Sequence, residues 1–123
     1  MISPESIKNL LSKERVKAFF EAFYFDEEPA YDLELALGDF DEERRLLRLE
    51  LRLLARPGQC LACNLTWGLP AVFKKHPILD LEGLVKETEK LLPRGLKVKS
   101  WELGPTEERS PELHVIPLLI YFE

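Results

Sequence analysis

The sequence predicts an α+β fold: a five-stranded antiparallel sheet, in the order α-βββ-α-ββ, with its helices packed on one face. Leucines at 33, 35 and 37, and again at 47, 49, 51 and 53, recur with the period of a half-buried strand. Apolar residues before Tyr24, and again between Leu81 and Leu92, recur with the period of an amphipathic helix. The 123 residues, 46% apolar and 32% charged, suit a single domain over 1–123 that buries its own core.

Ser3 can cap a first helix, with Pro4 at its first position and Glu5 in its first turn. Ile7, Leu10 and Leu11 share one face, as do Val16, Phe19, Phe20 and Phe23, but the step from Leu11 to Val16 breaks phase. Ser12 can cap a second segment there. The region reads as one bent helix or two short ones ending near Tyr24, with an aromatic face that needs a sheet to cover.

From Tyr31 to Leu37 apolar residues alternate with Asp32, Glu34 and Ala36. Gly38 to Glu43 reads as a turn, and Leu47 to Leu53 alternates again with Arg48, Glu50 and Arg52. The pair forms a hairpin with leucines inward and charges outward. A helix over Glu42 to Ala55 competes, but strict alternation favours the strand. After the Pro57-Gly58 turn, Gln59 to Trp67 reads as a third strand, and Pro70 to Lys75 as one helical turn closed by His76-Pro77. Asp80 caps a helix carrying Leu81, Leu84, Val85, Thr88, Leu91 and Leu92 on one face, stopped by Pro93 and Gly95.

Leu96 to Leu103 is the fourth strand. Its apolar residues change phase, which predicts a bulge near Ser100. Gly104 to Glu112 reads as a long turn, and Leu113 to Phe122 as the last strand, apolar on both faces at its end. Pro117 cannot donate to a ladder, which places it at a sheet edge or a bulge.

The chemistry-bearing residues concentrate in CLACNLTWGLPAVFKKH, residues 60–76. Cys60, Cys63, His76 and His114 are all the cysteines and histidines present, and together they make a candidate zinc set. A lone C-x2-C is a weak signal, and Leu61 and Ala62 between the thiols suit a strand rather than a metal-binding turn. In a strand, positions three apart point to opposite faces, so the two thiols would diverge. Buried, unreactive thiols are the leading expectation, ahead of zinc and ahead of redox chemistry. His76 reads as a surface or capping residue and His114 as a hydrogen-bonded sheet histidine. Neither has a Ser/Asp partner set nearby in sequence.

Six glycines lie scattered at turns and make no phosphate loop. Lys74, Lys75, Arg94, Lys97 and Lys99 are expected to be a solvated face, and Trp67 and Trp101 to seal the core at strand ends. The net charge of −5 argues against nucleic acid as a partner. The start MISPESIKNLLSKER has no basic segment followed by an apolar core, so no signal peptide is expected. No apolar run approaches the ~20 residues that span a bilayer. The reducing cytoplasm is the expected compartment, where Asn64-Leu65-Thr66 would not be glycosylated and no structural disulfide forms.

The stretch PGQCLACNLTWGLPAVFKKHPI, with LHVIPL near the end, resembles a small uncharacterised family from sulfate- and metal-reducing deltaproteobacteria. Some of its members carry the label "pancreas/duodenum homeobox protein". That resemblance implies no known activity, and the label conflicts with an acidic, strand-rich chain, because a homeodomain is three basic helices. The order of elements also resembles type III secretion chaperones, dimers that bind unfolded segments, although their final helix is missing here. The expected function is therefore non-enzymatic: binding of a protein partner, or homodimerisation, with no cofactor, no nucleic acid and no membrane. The alternatives are a small zinc-binding or thiol-redox protein using Cys60 and Cys63 with His76 or His114, and a chaperone-like binder of unfolded segments.

Overall fold

A computed structural model describes residues 2–25, 29, 31–59, 61, 68–93 and 95–123. Helices α1 (Pro4–Lys8) and α2 (Lys13–Tyr24) precede a hairpin of β1 (Tyr31–Asp41) and β2 (Leu46–Ala55). Helices α3 (Leu69–Lys75) and α4 (Leu81–Glu89) follow, then β3 (Val98–Leu103), β4 (Glu107–Ser110) and β5 (Leu113–Phe122). The strands form one antiparallel sheet in the order β1-β2-β5-β3, with β4 also on β5. The α+β class and an antiparallel sheet of five strands are as the sequence predicts. Among the described residues, however, the order is α-α-β-β-α-α-β-β-β, not α-βββ-α-ββ, because the expected third strand gives way to β4. No helix among the described residues is long and apolar enough to cross a membrane.

Two helices form at the start, not one bent helix, because each has its own serine cap. The Ser6 amide donates to Ser3 Oγ at 3.1 Å and the Arg15 amide to Ser12 Oγ at 3.1 Å. Arg15 then reaches the carbonyls of Leu10, Ile78 and Asp80, at 3.3, 3.4 and 3.3 Å, tying this corner to the approach to α4. Asp80 caps α4 through the Gly83 amide, as expected.

The hairpin is longer than its leucine pattern. β1 runs on to Asp41 because a bulge at Gly38 restores the phase: Leu37 faces Leu49, and Asp39 faces Arg48. A Cβ at Gly38 would stand 2.9 Å from the Arg48 carbonyl oxygen, so the close approach requires glycine. The turn itself is Glu42 to Arg45, with Arg45 in the left-handed region at φ 54°. β2 is a strand throughout, so the competing helix over Glu42 to Ala55 does not form.

Two expectations change. The segment Gly104 to Glu112, read as a turn, contains β4, which pairs with the start of β5. Of the third strand expected over Gln59 to Trp67, Gln59 and Leu61 lie in no strand; the remaining positions lie outside the described residues.

Pro117 sits on a central strand, not at a sheet edge. β2 flanks β5 on one side, while β3 and β4 follow each other along the other. The Pro117 carbonyl accepts from the Gly104 amide at 2.9 Å, so its nitrogen also points toward the β3–β4 side. The missing donor faces Gly104, one residue past the end of β3, so the lost reciprocal bond falls where that ladder ends and not within it. The bulge expected near Ser100 is present between Val98 and Ser100.

One core lies between the helices and one face of the sheet. Leu33 and Leu35, the leucines 47 to 53, and Ile116, Leu118, Ile120 and Phe122 share a cluster with Ile7, Phe19, Phe73, Leu81 and Leu84. Each fully buried side chain of this kind contributes roughly 1.5–3 kcal/mol. The opposite face is closed by side chains. Glu50, 6% exposed, accepts from Arg52 Nη2 at 3.1 Å and Arg109 Nη2 at 3.0 Å. Glu107 accepts from Arg109 at 3.1 Å and Arg48 at 3.2 Å. On this face Val115, in register between Arg52 and Glu107, is fully buried, as long side-chain stems laid over a sheet allow. That accounts for the doubly apolar last strand: it is central, with helices on one face and arginine stems on the other.

Candidate functional site

The histidines proposed as ligands have structural surroundings. The His76 ring lies edge-on to Phe19 at 4.8 Å between centroids, and its Nδ1 accepts from the Ile78 amide at 3.3 Å. This is the capping role expected of it. His114 is fully buried on β5, paired with Leu53 on one side and Glu108 on the other, its Nε2 3.9 Å from Glu108 Oε1. Cys60 and Cys63 lie outside the described residues, as do Trp67 and Arg94. Among the described residues no group of three or more His, Cys, Asp or Glu side chains is placed to hold a metal ion.

Lys74, Lys75, Lys97 and Lys99 are exposed. Trp101 is half-buried against the core and borders a shallow groove between α4 and β3, where Glu82 and Glu89 offset Lys86 and Lys99. A buried aromatic group joins α2 to β1: Phe20 and Tyr31 stack edge-to-face at 5.4 Å, and the Tyr24 and Tyr31 hydroxyls share a 2.8 Å hydrogen bond. Burial pushes the Tyr31 phenol far above the ordinary tyrosine range and raises Tyr24 as well. This group fixes the helix on the sheet.

The surface feature with the makings of a site is a groove of about 780 Å³ between the α1–α2 corner and β1. Leu11, Val16, Phe20 and Leu33 form its apolar floor. Lys8, Lys13 and Lys17 line the helical side, with Glu14, and Asp32 and Glu34 line the strand side. Arg56 closes one end, its Nε 3.0 Å from Asp32 Oδ1 and its guanidinium 5.8 Å above the Phe20 ring.

The groove touches Asp32, Leu33 and Glu34, three consecutive residues whose side chains alternate between the faces of the sheet. It therefore runs past the edge of β1, not across a face. Among the described residues β1 pairs only with β2, so the other side of this strand presents backbone donors and acceptors without a ladder partner. Apolar surface is scarce elsewhere: Phe25, 79% exposed, stands out as the large apolar side chain open to solvent among the described residues.

Sequence reasoning missed this groove. Its residues come from α1, α2, β1 and the end of β2, and no local pattern joins Lys8 to Arg56. The basic positions at 13 and 17, one helical turn apart beside the Val16 and Phe20 ridge, were the available signal.

Compared with models of known protein families, with curated proteins and with solved structures, the chain matches none.

Proposed function

We propose that this is a non-enzymatic protein-binding module, which takes an extended segment of a partner along the free edge of β1. The observation that supports it is the coincidence of a strand edge that no described residue pairs with and a groove that has an apolar floor and charged walls. Strand addition draws affinity from backbone hydrogen bonds and specificity from alternate side chains. It needs no large apolar patch, which suits a surface where, among the described residues, Phe25 is the prominent exposed apolar group. The apolar end of β5 is covered within the chain, so the reading rests on β1 alone.

Self-association through the same edge is disfavoured. Asp32, Glu34, Asp39 and Asp41 share the outer face of β1, so two antiparallel copies would set carboxylate against carboxylate. A titration of isotope-labelled protein with a panel of short extended peptides, followed through backbone amide shifts, tests the reading. Binders should move the resonances of Asp32 to Leu37 and of Lys13 and Lys17. Peptides that bind while moving β3 or α4 instead would refute it.

A further inference from the structure

The two walls of the groove differ in charge. Lys13 and Lys17 project from α2 beside its apolar ridge and Lys8 from α1, and none of them forms an ion pair with a described residue. Glu14 dilutes this helical wall without reversing its sign. On the strand wall, Asp32 is engaged by Arg56, whereas Glu34 has no ion pair with a described residue.

A strand laid against β1 sends alternate side chains to the two faces of the sheet. Those on the Leu33 face meet the lysines and the apolar floor. Those on the Glu34 face meet a carboxylate. We propose, building on the strand-docking reading, that the groove selects an extended segment of another protein in which acidic and basic side chains alternate. The acids face Lys8, Lys13 and Lys17, and a base faces Glu34. A second copy of this chain does not fit, since β1 offers carboxylates on one face and leucines on the other. A polyanionic nucleic acid satisfies the lysines but leaves Glu14 and Glu34 facing phosphate.

Fluorescence anisotropy at low salt separates these occupants. The probes are a short labelled peptide with alternating Glu and Lys around an apolar centre, a peptide of the same composition with the charges in separate blocks, and a single-stranded oligothymidylate. The alternating peptide should bind about tenfold tighter than the blocked one, and added salt should erode the difference. The double variant Lys13→Glu, Lys17→Glu should lose about tenfold in affinity for the alternating peptide. The double variant to Arg should retain it. Both lysines are exposed, so the urea midpoint serves as a check that either variant remains folded. Equal affinity for the two peptides, with amide shifts still at β1, overturns the charge rule and leaves strand docking intact. Binding of neither peptide overturns both, and so does preference for the oligonucleotide.

Discussion

Four residues show how local chemistry is distributed in this fold. Arg45 holds the hairpin turn at φ 54°, a conformation that costs an L-residue about 1 kcal/mol and glycine almost nothing. Arg45→Gly should therefore raise stability in urea by about 1 kcal/mol, since the bond that matters there, Phe122 amide to Arg45 carbonyl at 3.0 Å, is backbone. Glu50 is the buried acceptor of two guanidiniums, and Glu50→Ala should cost about 1–3 kcal/mol in the same assay. The Tyr24–Tyr31 pair sets an alkaline limit. Burial raises both phenols above the unfolded value, so the native state keeps protons that the unfolded chain releases. Their contribution is complete below about pH 10 and is lost as pH rises toward the folded values. Thermal unfolding midpoints should fall above about pH 10, and less steeply in Tyr31→Phe. At this scale the sequence was informative about roles: Ser3, Ser12 and Asp80 as helix N-caps and His76 as a surface or capping residue follow from their neighbours alone.

Elements were legible where their own residues carried the pattern. The leucine alternation identified β1 and β2, because a strand with one buried face writes its period directly into the chain. β4 was illegible: Glu107–Ser110 reads EERS, with no apolar residue, and it is a strand only because β5 offers a partner there. The position of Pro117 was misjudged for a related reason. A proline excludes a ladder bond on one side only, and which side is a property of the assembled sheet. The bulge at Gly38 makes a testable claim at this scale. Gly38→Ala puts a methyl 2.9 Å from the Arg48 carbonyl and should cost about 1–3 kcal/mol by urea denaturation. Little change would mean that the strands can separate there without loss.

At the scale of the molecule, the described residues cover both faces of the sheet and leave one long edge without a strand partner. The helices cover one face, the arginine–glutamate network the other, and the β3–β4 edge is interrupted at Gly104 to Thr106. Among the described residues that leaves β1 as the edge formed by one strand, bulged at Gly38, with the α1–α2 corner alongside it. This juxtaposition was beyond the sequence because it joins residues from three elements and a strand end, each of which reads locally as solvated surface or ordinary core. The most direct test is hydrogen exchange of individual amides with and without a bound alternating-charge peptide. Alternate amides of β1 between Tyr31 and Leu37 should slow on binding while those of β3 stay unchanged. Unaltered exchange along β1 in a protein demonstrably saturated with peptide would contradict the account.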